Sequence, residues 1–350
     1  MENGPIRVAI NGFGRIGKLV YRAAARNELS HIDLVAINDI GNIKVLTHLL
    51  RYDSTHGEFK GVHYAGSKII VDSPVYTNVK DVETSVLAVK EIEDLPWRDI
   101  GIDFVVEATG RFTERKDLQK HLAAGAKKVI LTAPSKTGSD IDITMVMGVN
   151  EDKYDPAKHN LISNASCTTN CLAPVAKILH KNLGIRYGWV STTHAYTNDQ
   201  RLLDLAHDDL RRSRAAAENF LPGKTGAAKA IGLVIPELDG KLDGAAWRVP
   251  VLDVSAIDLV VEVEKKTTVE EVNQLFASAS VAAKFQSLNY TEEELVSSDY
   301  KGNPYSATVD AECTRVIGGN LVRVVAWYDN EWGYSCRVVD LIKYIAERGM

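Results

Sequence analysis

Cysteine is scarce in this chain, with four among 350 residues. Cys167, Cys171, Cys313 and Cys336 are too few and too scattered for a disulfide framework. Cys167 and Cys171 have no second ligand pair at a recognisable spacing, so no metal is expected. No apolar run is long enough to span a bilayer, and Met1-Glu2-Asn3-Gly4-Pro5-Ile6-Arg7 lacks a charged-then-apolar signal pattern. The expectation is a cytoplasmic protein without a membrane partner. Positive charge is not in excess: Lys+Arg number 41 against 46 Asp+Glu, a net charge of −5. General attraction for nucleic acid is thereby removed, although local basic patches remain open. Repeats and low-complexity segments are absent. What is present is ordinary for a globular chain, 45% hydrophobic and 25% charged residues. The length points to two domains, at roughly one per 150 residues.

The first half alternates. Arg7-Val8-Ala9-Ile10 reads as a strand, Asn11-Gly12-Phe13-Gly14-Arg15-Ile16-Gly17 as a tight turn, and the stripe Ile16, Leu19, Val20, Ala23 as a helix. Leu34-Val35-Ala36-Ile37 then closes a βαβ unit ending on Asn38-Asp39. Buried-type strands recur at Phe104-Val105-Val106 and Val129-Ile130-Leu131, separated by a helical stretch from about Thr113 to Ala124. Such alternation argues an α/β fold, a doubly wound parallel sheet of the Rossmann type. A Gly-x-Gly-x-x-Gly pattern alone is a weak signal, but here a strand precedes it and a helix follows. Asp39 comes 22 residues after Gly17, at the end of the next strand. The glycines would admit a pyrophosphate to the helix N-terminus and Asp39 would bind ribose hydroxyls. A carboxylate there disfavours a ribose phosphate, so NAD is expected over NADP.

The second half reads as an α+β domain with a mostly antiparallel sheet. Strand-like runs lie at Trp189 to Thr193, Trp247 to Val249, Ala256 to Val263 and Leu321 to Trp327. Helices are signalled at Ala227 to Leu238, after Thr268 and Glu271 at capping-box spacing, and at the stripe Val338, Leu341, Ile342, Ile345. The stretch from Asn198 to Gly223 is long, polar and arginine-rich, which suits either a functional or interfacial loop or a solvated face. Ser163-Asn164-Ala165-Ser166-Cys167-Thr168-Thr169-Asn170-Cys171 sits between an extended run from Asn160 and the helical stripe Leu172, Val175, Ile178, Leu179. Cys167 is thus placed at or just before a helix N-terminus, where unpaired N–H groups and the macrodipole favour the thiolate. A buried structural cysteine is the plain alternative, and Cys171 fits it. His194 lies 27 residues beyond Cys167, at the end of a strand. A lone histidine is more often structural, but beside such a cysteine it makes sense as a base to a nucleophile.

With these motifs assembled, the chain resembles the phosphorylating glyceraldehyde-3-phosphate dehydrogenases over nearly its whole length. The carriers are the Asn11 to Gly17 turn, Ala36-Ile37-Asn38-Asp39, Ser163 to Asn170, His194-Ala195-Tyr196-Thr197, Thr225-Gly226-Ala227-Ala228-Lys229, Arg248-Val249-Pro250 and Tyr328 to Ser335. The resemblance implies oxidation of glyceraldehyde 3-phosphate to an acyl phosphate through a hemithioacetal and thioester on Cys167, with His194 taking up the proton and inorganic phosphate releasing the acyl group. It implies contacts to NAD from Gly12, Gly14, Arg15, Ile16, Gly17, Asp39, Lys90, Thr132 and Asn330. It also implies that Thr197 and Arg248 meet the substrate phosphate, and that Ser166, Thr168, Thr225, Gly226 and Arg212 bind substrate or attacking phosphate. A homotetramer is implied as well. The expected domains are residues 1–165, with the helix 332–350 packed back on them, and residues 166–331.

Three departures from the family pattern stand out. Gly223-Lys224 replaces a hydroxyl pair, adding a cation that either tightens phosphate binding or faces solvent. Pro250-Val251-Leu252-Asp253-Val254 replaces the commoner Pro-Thr-Pro-Asn-Val, and Lys90 stands where an arginine is usual. Erythrose-4-phosphate dehydrogenase and a semialdehyde dehydrogenase are the enzyme alternatives. A catalytically silent NAD-binding scaffold is the alternative from another class, opposed by the intact Cys167, His194 and Arg248.

Overall fold

The computed structural model describes residues 4–26, 32–73, 81–135 and 140–350, so Met1 to Asn3 of the amino-terminal reading lie outside the described residues. The chain forms two compact units, one comprising Met1–Met145, Asp152–Ala165 and Ser335–Met350, the other Val146–Glu151 and Ser166–Tyr334.

In the first unit the order is β1 (Ile6–Asn11), α1 (Arg15–Arg26), β2 (Ile32–Asn38), α2 (Ile43–Arg51), β3 (Tyr52–Asp53), β4 (Gly57–Glu58), β5 (Val62–Ala65), β6 (Lys68–Val71), β7 (Val82–Leu87), β8 (Phe104–Glu107), α3 (Arg115–Ala123), β9 (Lys128–Leu131), β10 (Ile143–Thr144) and β11 (Leu161–Ser163). Nine strands form one sheet in the order β10-β11-β9-β8-β1-β2-β7-β6-β5. From β10 to β7 every pairing is parallel. The doubly wound parallel sheet is therefore present, but one edge departs from it: β7, β6 and β5 pair antiparallel. β5 and β6 are joined by the tight turn at Gly66-Ser67, a connection that antiparallel neighbours allow. β8 and β9 are buried at every residue, as helices on both faces of a parallel sheet require. The Ile16, Leu19, Val20, Ala23 stripe forms the inner face of α1, with Leu19, Val20 and Ala23 buried.

The second unit runs α4 (Cys167–Leu183), β12 (Ile185–Ala195), β13 (Leu221–Lys224), α5 (Ala227–Val234), β14 (Leu242–Val249), β15 (Ser255–Val263), α6 (Val269–Ala282), β16 (Asn289–Thr291), β17 (Thr308–Ile317) and β18 (Leu321–Tyr328), and α7 (Trp332–Arg348) ends the chain. The seven strands are ordered β13-β14-β12-β15-β18-β17-β16. Only the β12–β14 and β16–β17 pairs are parallel. β15 alternates strictly between buried and half-buried residues, so Ile257, Leu259, Val261 and Val263 face the core on one side of the sheet. The four expected strands are present, extended at their ends, and β13, β16 and β17 join them. β13 takes up the end of the stretch expected as a loop, because Leu221 to Lys224 pair with Arg248 to Ala245 of β14. The helix expected to reach Leu238 ends at Val234, since the residue before Pro236 is pushed out of the helical region and Pro236–Leu238 continues only as a 3-10 turn. The capping box at α6 forms as expected, with Thr268 and Glu271 each accepting the other's backbone N–H.

Candidate active site

The glycine turn lies between β1 and α1, and backbone sterics explain two of its three glycines. Gly12 has φ +92°, and a Cβ there would fall 2.5 Å from the Thr109 nitrogen. A Cβ on Gly17 would sit 2.2 Å from the Gly12 carbonyl oxygen. Gly14 differs: a Cβ there would meet no atom within 4 Å. Its bareness keeps open the space at the N-terminus of α1, where a pyrophosphate would lie. Asp39 ties β2 to this turn, its Oδ2 accepting the Phe13 N–H at 2.8 Å and its Oδ1 the Gly41 N–H at 2.8 Å. Further lone pairs remain on both oxygens for ribose hydroxyls. The residues present therefore fit a dinucleotide. Arg15 pairs with Asp53 through its guanidinium, and Ile16 is half-buried in the first turn of α1. Thr132, just past β9, donates from Oγ1 to the Glu107 carbonyl at 3.0 Å. Lys90 is exposed, next to Val89, whose N–H and carbonyl are both held by the Asn38 side chain.

Beneath the turn is a polar network that the sequence reading missed. Glu107 is buried at the end of β8. Its Oε2 accepts from Asn11 Nδ2 at 2.6 Å and lies 3.1 Å from His121 Nε2, while its Oε1 accepts the Thr109 N–H at 2.8 Å. Trp97 donates its indole N–H to His121 Nδ1 at 3.0 Å, which leaves Nε2 as the protonated nitrogen facing Glu107. Asn38 Nδ2 donates to Asn11 Oδ1 at 2.8 Å. The residues just before Gly12 and Asp39 are thus fixed by one buried carboxylate. A glutamate ending the apolar run Phe104-Val105-Val106 was the available signal.

In the second unit, Cys167 is the first residue of α4, as the sequence predicts, and Ser166 is its N-cap, accepting the Thr169 N–H on Oγ at 3.0 Å. The parallel β12–β14 register sets His194 directly opposite Arg248. Cys167 Sγ lies 3.4 Å from His194 Nε2, and His194 Nδ1 lies 2.7 Å from both the Ala195 carbonyl oxygen and Arg248 Nη1. Those two neighbours of Nδ1 favour opposite tautomers, because the carbonyl accepts a proton and the guanidinium donates one. For Nε2 to accept the thiol proton, Nδ1–H must face the carbonyl. Arg248 Nη1 also reaches that carbonyl, at 3.2 Å.

Electrostatics here amend the expected thiolate. Desolvation pushes the Cys167 thiol above its ordinary value, and it outweighs the lowering by Arg248, the Thr168 hydroxyl and backbone N–H groups at the start of α4. Desolvation and then Arg248 bring His194 down to about 3. Both shifts act toward the uncharged forms, thiol and imidazole.

Of the other expected residues, Thr168 is buried with its hydroxyl 2.8 Å from the Tyr328 hydroxyl, which also lies 3.0 Å from Thr192 Oγ1. Tyr328 packs edge-on against His194, with ring centroids 6.1 Å apart. It opens the quoted Tyr328 to Ser335 motif but was not singled out in the sequence. Asn330 is held by its Oδ1, which accepts from Ser255 Oγ at 2.7 Å, and Ser255 in turn accepts the Ala195 N–H at 3.1 Å. Thr197 is half-buried shortly after β12. Arg212 pairs with Asp199 and feels the charge of Arg248. Thr225 and Gly226 stand at the start of α5, with Gly226 as N-cap and Thr225 Oγ1 accepting the Ala227 N–H at 3.2 Å. Lys224 is exposed at the end of β13. In the altered loop, Tyr196 N–H reaches the Val251 carbonyl at 3.2 Å and Val254 has φ 71°, so Arg248 keeps its place beside a backbone bend that a β-branched residue rarely adopts.

Comparison with known proteins agrees in both halves. The family described as "Glyceraldehyde 3-phosphate dehydrogenase, NAD binding domain" matches residues 6–115, and "Glyceraldehyde 3-phosphate dehydrogenase, C-terminal domain" matches residues 166–330. The chain is 55% identical over 346 residues to the glyceraldehyde-3-phosphate dehydrogenase of Geobacillus stearothermophilus, covering 99% of each. It is 54% identical over 346 residues to that of Priestia megaterium, again with 99% of each covered. Glyceraldehyde-3-phosphate dehydrogenase 2 of Nostoc is 52% identical over 343 residues, with 98% of this chain and 99% of the relative covered.

Proposed function

The chain belongs to the glyceraldehyde-3-phosphate dehydrogenase family, and from that premise we propose that Cys167 is the nucleophile and His194 the base of its NAD-dependent oxidation of glyceraldehyde 3-phosphate. The observation that carries this reading is the 3.4 Å approach of Cys167 Sγ to His194 Nε2. Sγ adds to the aldehyde carbon, and its proton passes by way of Nε2 to the carbonyl oxygen, giving a hemithioacetal. NAD, when bound, supplies the hydride acceptor. Nε2 removes the hydroxyl proton as the hydride leaves, and a thioester remains on Cys167. Hydrogen phosphate then attacks the acyl carbon, the C–S bond breaks, and the phosphate proton returns to sulfur as the acyl phosphate departs. The imidazolium loses its proton to solvent. A neutral resting His194 is ready for this cycle, and an anion that draws Arg248 away from Nδ1 favours the tautomer required.

Thr197 and Arg248 are assigned to the substrate phosphate. Ser166, Thr168, Arg212, Thr225 and Gly226 are assigned to substrate or attacking phosphate, with the α5 N-terminus adding backbone N–H groups. Ser166 and Thr168 use their hydroxyls within the fold, which makes them the weaker members of that set. Gly12, Gly14, Arg15, Ile16, Gly17, Asp39, Lys90, Thr132 and Asn330 are assigned to NAD. Residues 1–165 with 332–350 would be the NAD-binding domain and 166–331 the catalytic one.

A homotetramer is supported by exposed apolar side chains that a solitary chain would leave wet. Leu202, Leu203, Leu205, Leu210 and Phe220 are exposed in one segment, and Tyr187, Trp189 and Trp247 along β12 and β14. Among the described residues no helix is long and apolar enough to cross a membrane. A cytoplasmic enzyme without nucleic-acid or membrane partners is the reading that fits a net charge of −5. The deciding experiment follows NADH absorbance with glyceraldehyde 3-phosphate, with and without inorganic phosphate, beside erythrose 4-phosphate and with NADP in place of NAD. Fast, phosphate-dependent turnover of the triose with NAD supports the assignment. Preference for the tetrose, or no cysteine-dependent turnover, overturns it.

A further inference from the structure

Gln200 has a buried donor that the reaction as described does not use. The residue is 7% exposed, and its Nε2 is buried without a hydrogen-bond partner. Its other atoms grip Thr197: the Gln200 N–H donates to the Thr197 carbonyl at 2.9 Å, and the Thr197 N–H donates to Gln200 Oε1 at 3.4 Å. Turning the carboxamide over does not relieve the orphan, because it would set an NH2 group against the Thr197 N–H. The neighbouring Arg201 N–H donates to the Arg212 carbonyl at 3.1 Å. Arg212 in turn senses the charge of Arg248. Gln200 therefore holds the Thr197 turn, and Arg201, next to it in sequence, holds the backbone of Arg212.

A buried unpaired donor is costly unless something supplies an acceptor. Among the described residues no acceptor of the fold meets Nε2, and a buried donor on the residue that holds the Thr197 turn suits an oxyanion. We propose that Gln200 is a specificity-determining residue of the substrate-phosphate site, holding Thr197 through Oε1 and offering an Nε2 hydrogen to a phosphate oxygen. A neutral donor adds to the site without increasing the repulsion between Arg212 and Arg248. This inference rests on the assignment of Thr197 to the substrate phosphate.

Gln200→Glu keeps the acceptor and the shape but puts an anionic oxygen where the donor was. Gln200→Met keeps the bulk and removes both. The measurement is kcat and KM for glyceraldehyde 3-phosphate and for unphosphorylated glyceraldehyde, with NAD and phosphate held constant. For both variants the ratio of kcat/KM between the phosphorylated and unphosphorylated aldehydes should fall about tenfold or more, through KM rather than kcat. A merely structural Gln200 would lower both aldehydes alike and leave the ratio intact, which overturns the proposal, as does an unchanged KM. Should the glutamate variant not fold, the methionine variant decides the matter by the same ratio. Thr197→Val separates the two readings. If it lowers the ratio while both Gln200 variants do not, the inference about Gln200 fails and Thr197 keeps its assignment. If it leaves the ratio unchanged, Thr197 does not hold the phosphate and the proposal falls with it.

Discussion

The glycine cradle of the first unit and the thiol site of the second are held by different kinds of constraint. In the cradle the decisive contacts fall within one βαβ unit and bear on its backbone: a Cβ on Gly17 would strike the Gly12 carbonyl, and the Asp39 carboxylate accepts the Phe13 N–H. In the thiol site, residues 167, 194, 248 and 328 come together only because β12 takes β14 and β15 as neighbours and α4 starts at the right place. A local constraint can be broken by one methyl group. A distributed one tolerates change in its frame but depends on each side chain's chemistry. The two should therefore fail in different and separable ways.

The largest effect should come from Cys167→Ser. Loss of the thiol is expected to lower turnover by more than about 10⁴-fold, while NAD affinity, measured by titration of protein fluorescence, stays within about threefold of wild type. Turnover near wild type in that variant would remove Cys167 from the mechanism, and a parallel loss of NAD affinity would show that the two sites are not separable. The reverse experiment is Gly17→Val, whose side chain would collide with the Gly12 carbonyl. NAD affinity should drop by about 100-fold or more. Alkylation of Cys167 by iodoacetamide, followed by mass spectrometry, should remain within a fewfold of wild type. Equal losses in both readouts would mean that the turn supports the thiol site too.

The same contrast explains what could be read in the sequence. Gly12, Gly14, Gly17 and Asp39 are legible because a tight turn between strand and helix states its requirements within 28 residues, from Gly12 to Asp39. Cys167 is legible as a helix start because Ser166 has a cap residue's chemistry and the apolar stripe follows. Pairing Cys167 with His194 is a chemical expectation, a base for a nucleophile, that spacing does not supply, since only the fold brings them to 3.4 Å. Tyr328, Ser255 and Glu107 stayed hidden for a related reason. Each looks like an ordinary strand residue, and its role comes from distant partners, Asn11 for Glu107, Thr168 for Tyr328 and Asn330 for Ser255, 75 to 160 positions away. The net direction of the Cys167 shift was also beyond sequence reasoning, because a helix N-terminus can be counted from spacing whereas desolvation cannot.

A smaller effect, confined to the thiol site, should appear in the pH dependence of stability. His194 titrates near 3 in the folded protein against an ordinary value of 6.5. Below 6.5 the unfolded chain takes up a proton that the folded chain refuses, so stability falls as pH drops from 6.5 toward 3 and is unaffected by this group above 6.5. At pH 5 the loss should be about 2 kcal/mol. Urea midpoints at pH 7.5 and pH 5 would test it, with His194→Gln losing less stability between the two than wild type by that amount. Equal losses would show that His194 is not the group responsible.

The smallest expected effect on ligand binding probes whether the cradle is as local as its glycines suggest. Glu107 lies 96 residues from Asn11, yet it accepts the Asn11 amide at 2.6 Å and the Thr109 N–H at 2.8 Å, beside the Ala108-Thr109 backbone that a Cβ on Gly12 would strike. Glu107→Gln must turn an NH2 group toward at least one of Asn11 Nδ2, His121 Nε2 and the Thr109 N–H, leaving a buried donor unpaired. Stability should fall by about 1–3 kcal/mol. If the network also holds the turn, NAD affinity should weaken by a fewfold while iodoacetamide still reaches Cys167 at the wild-type rate. A loss of stability with unchanged NAD affinity would confine Glu107 to the core and leave the glycine turn dependent only on its own backbone.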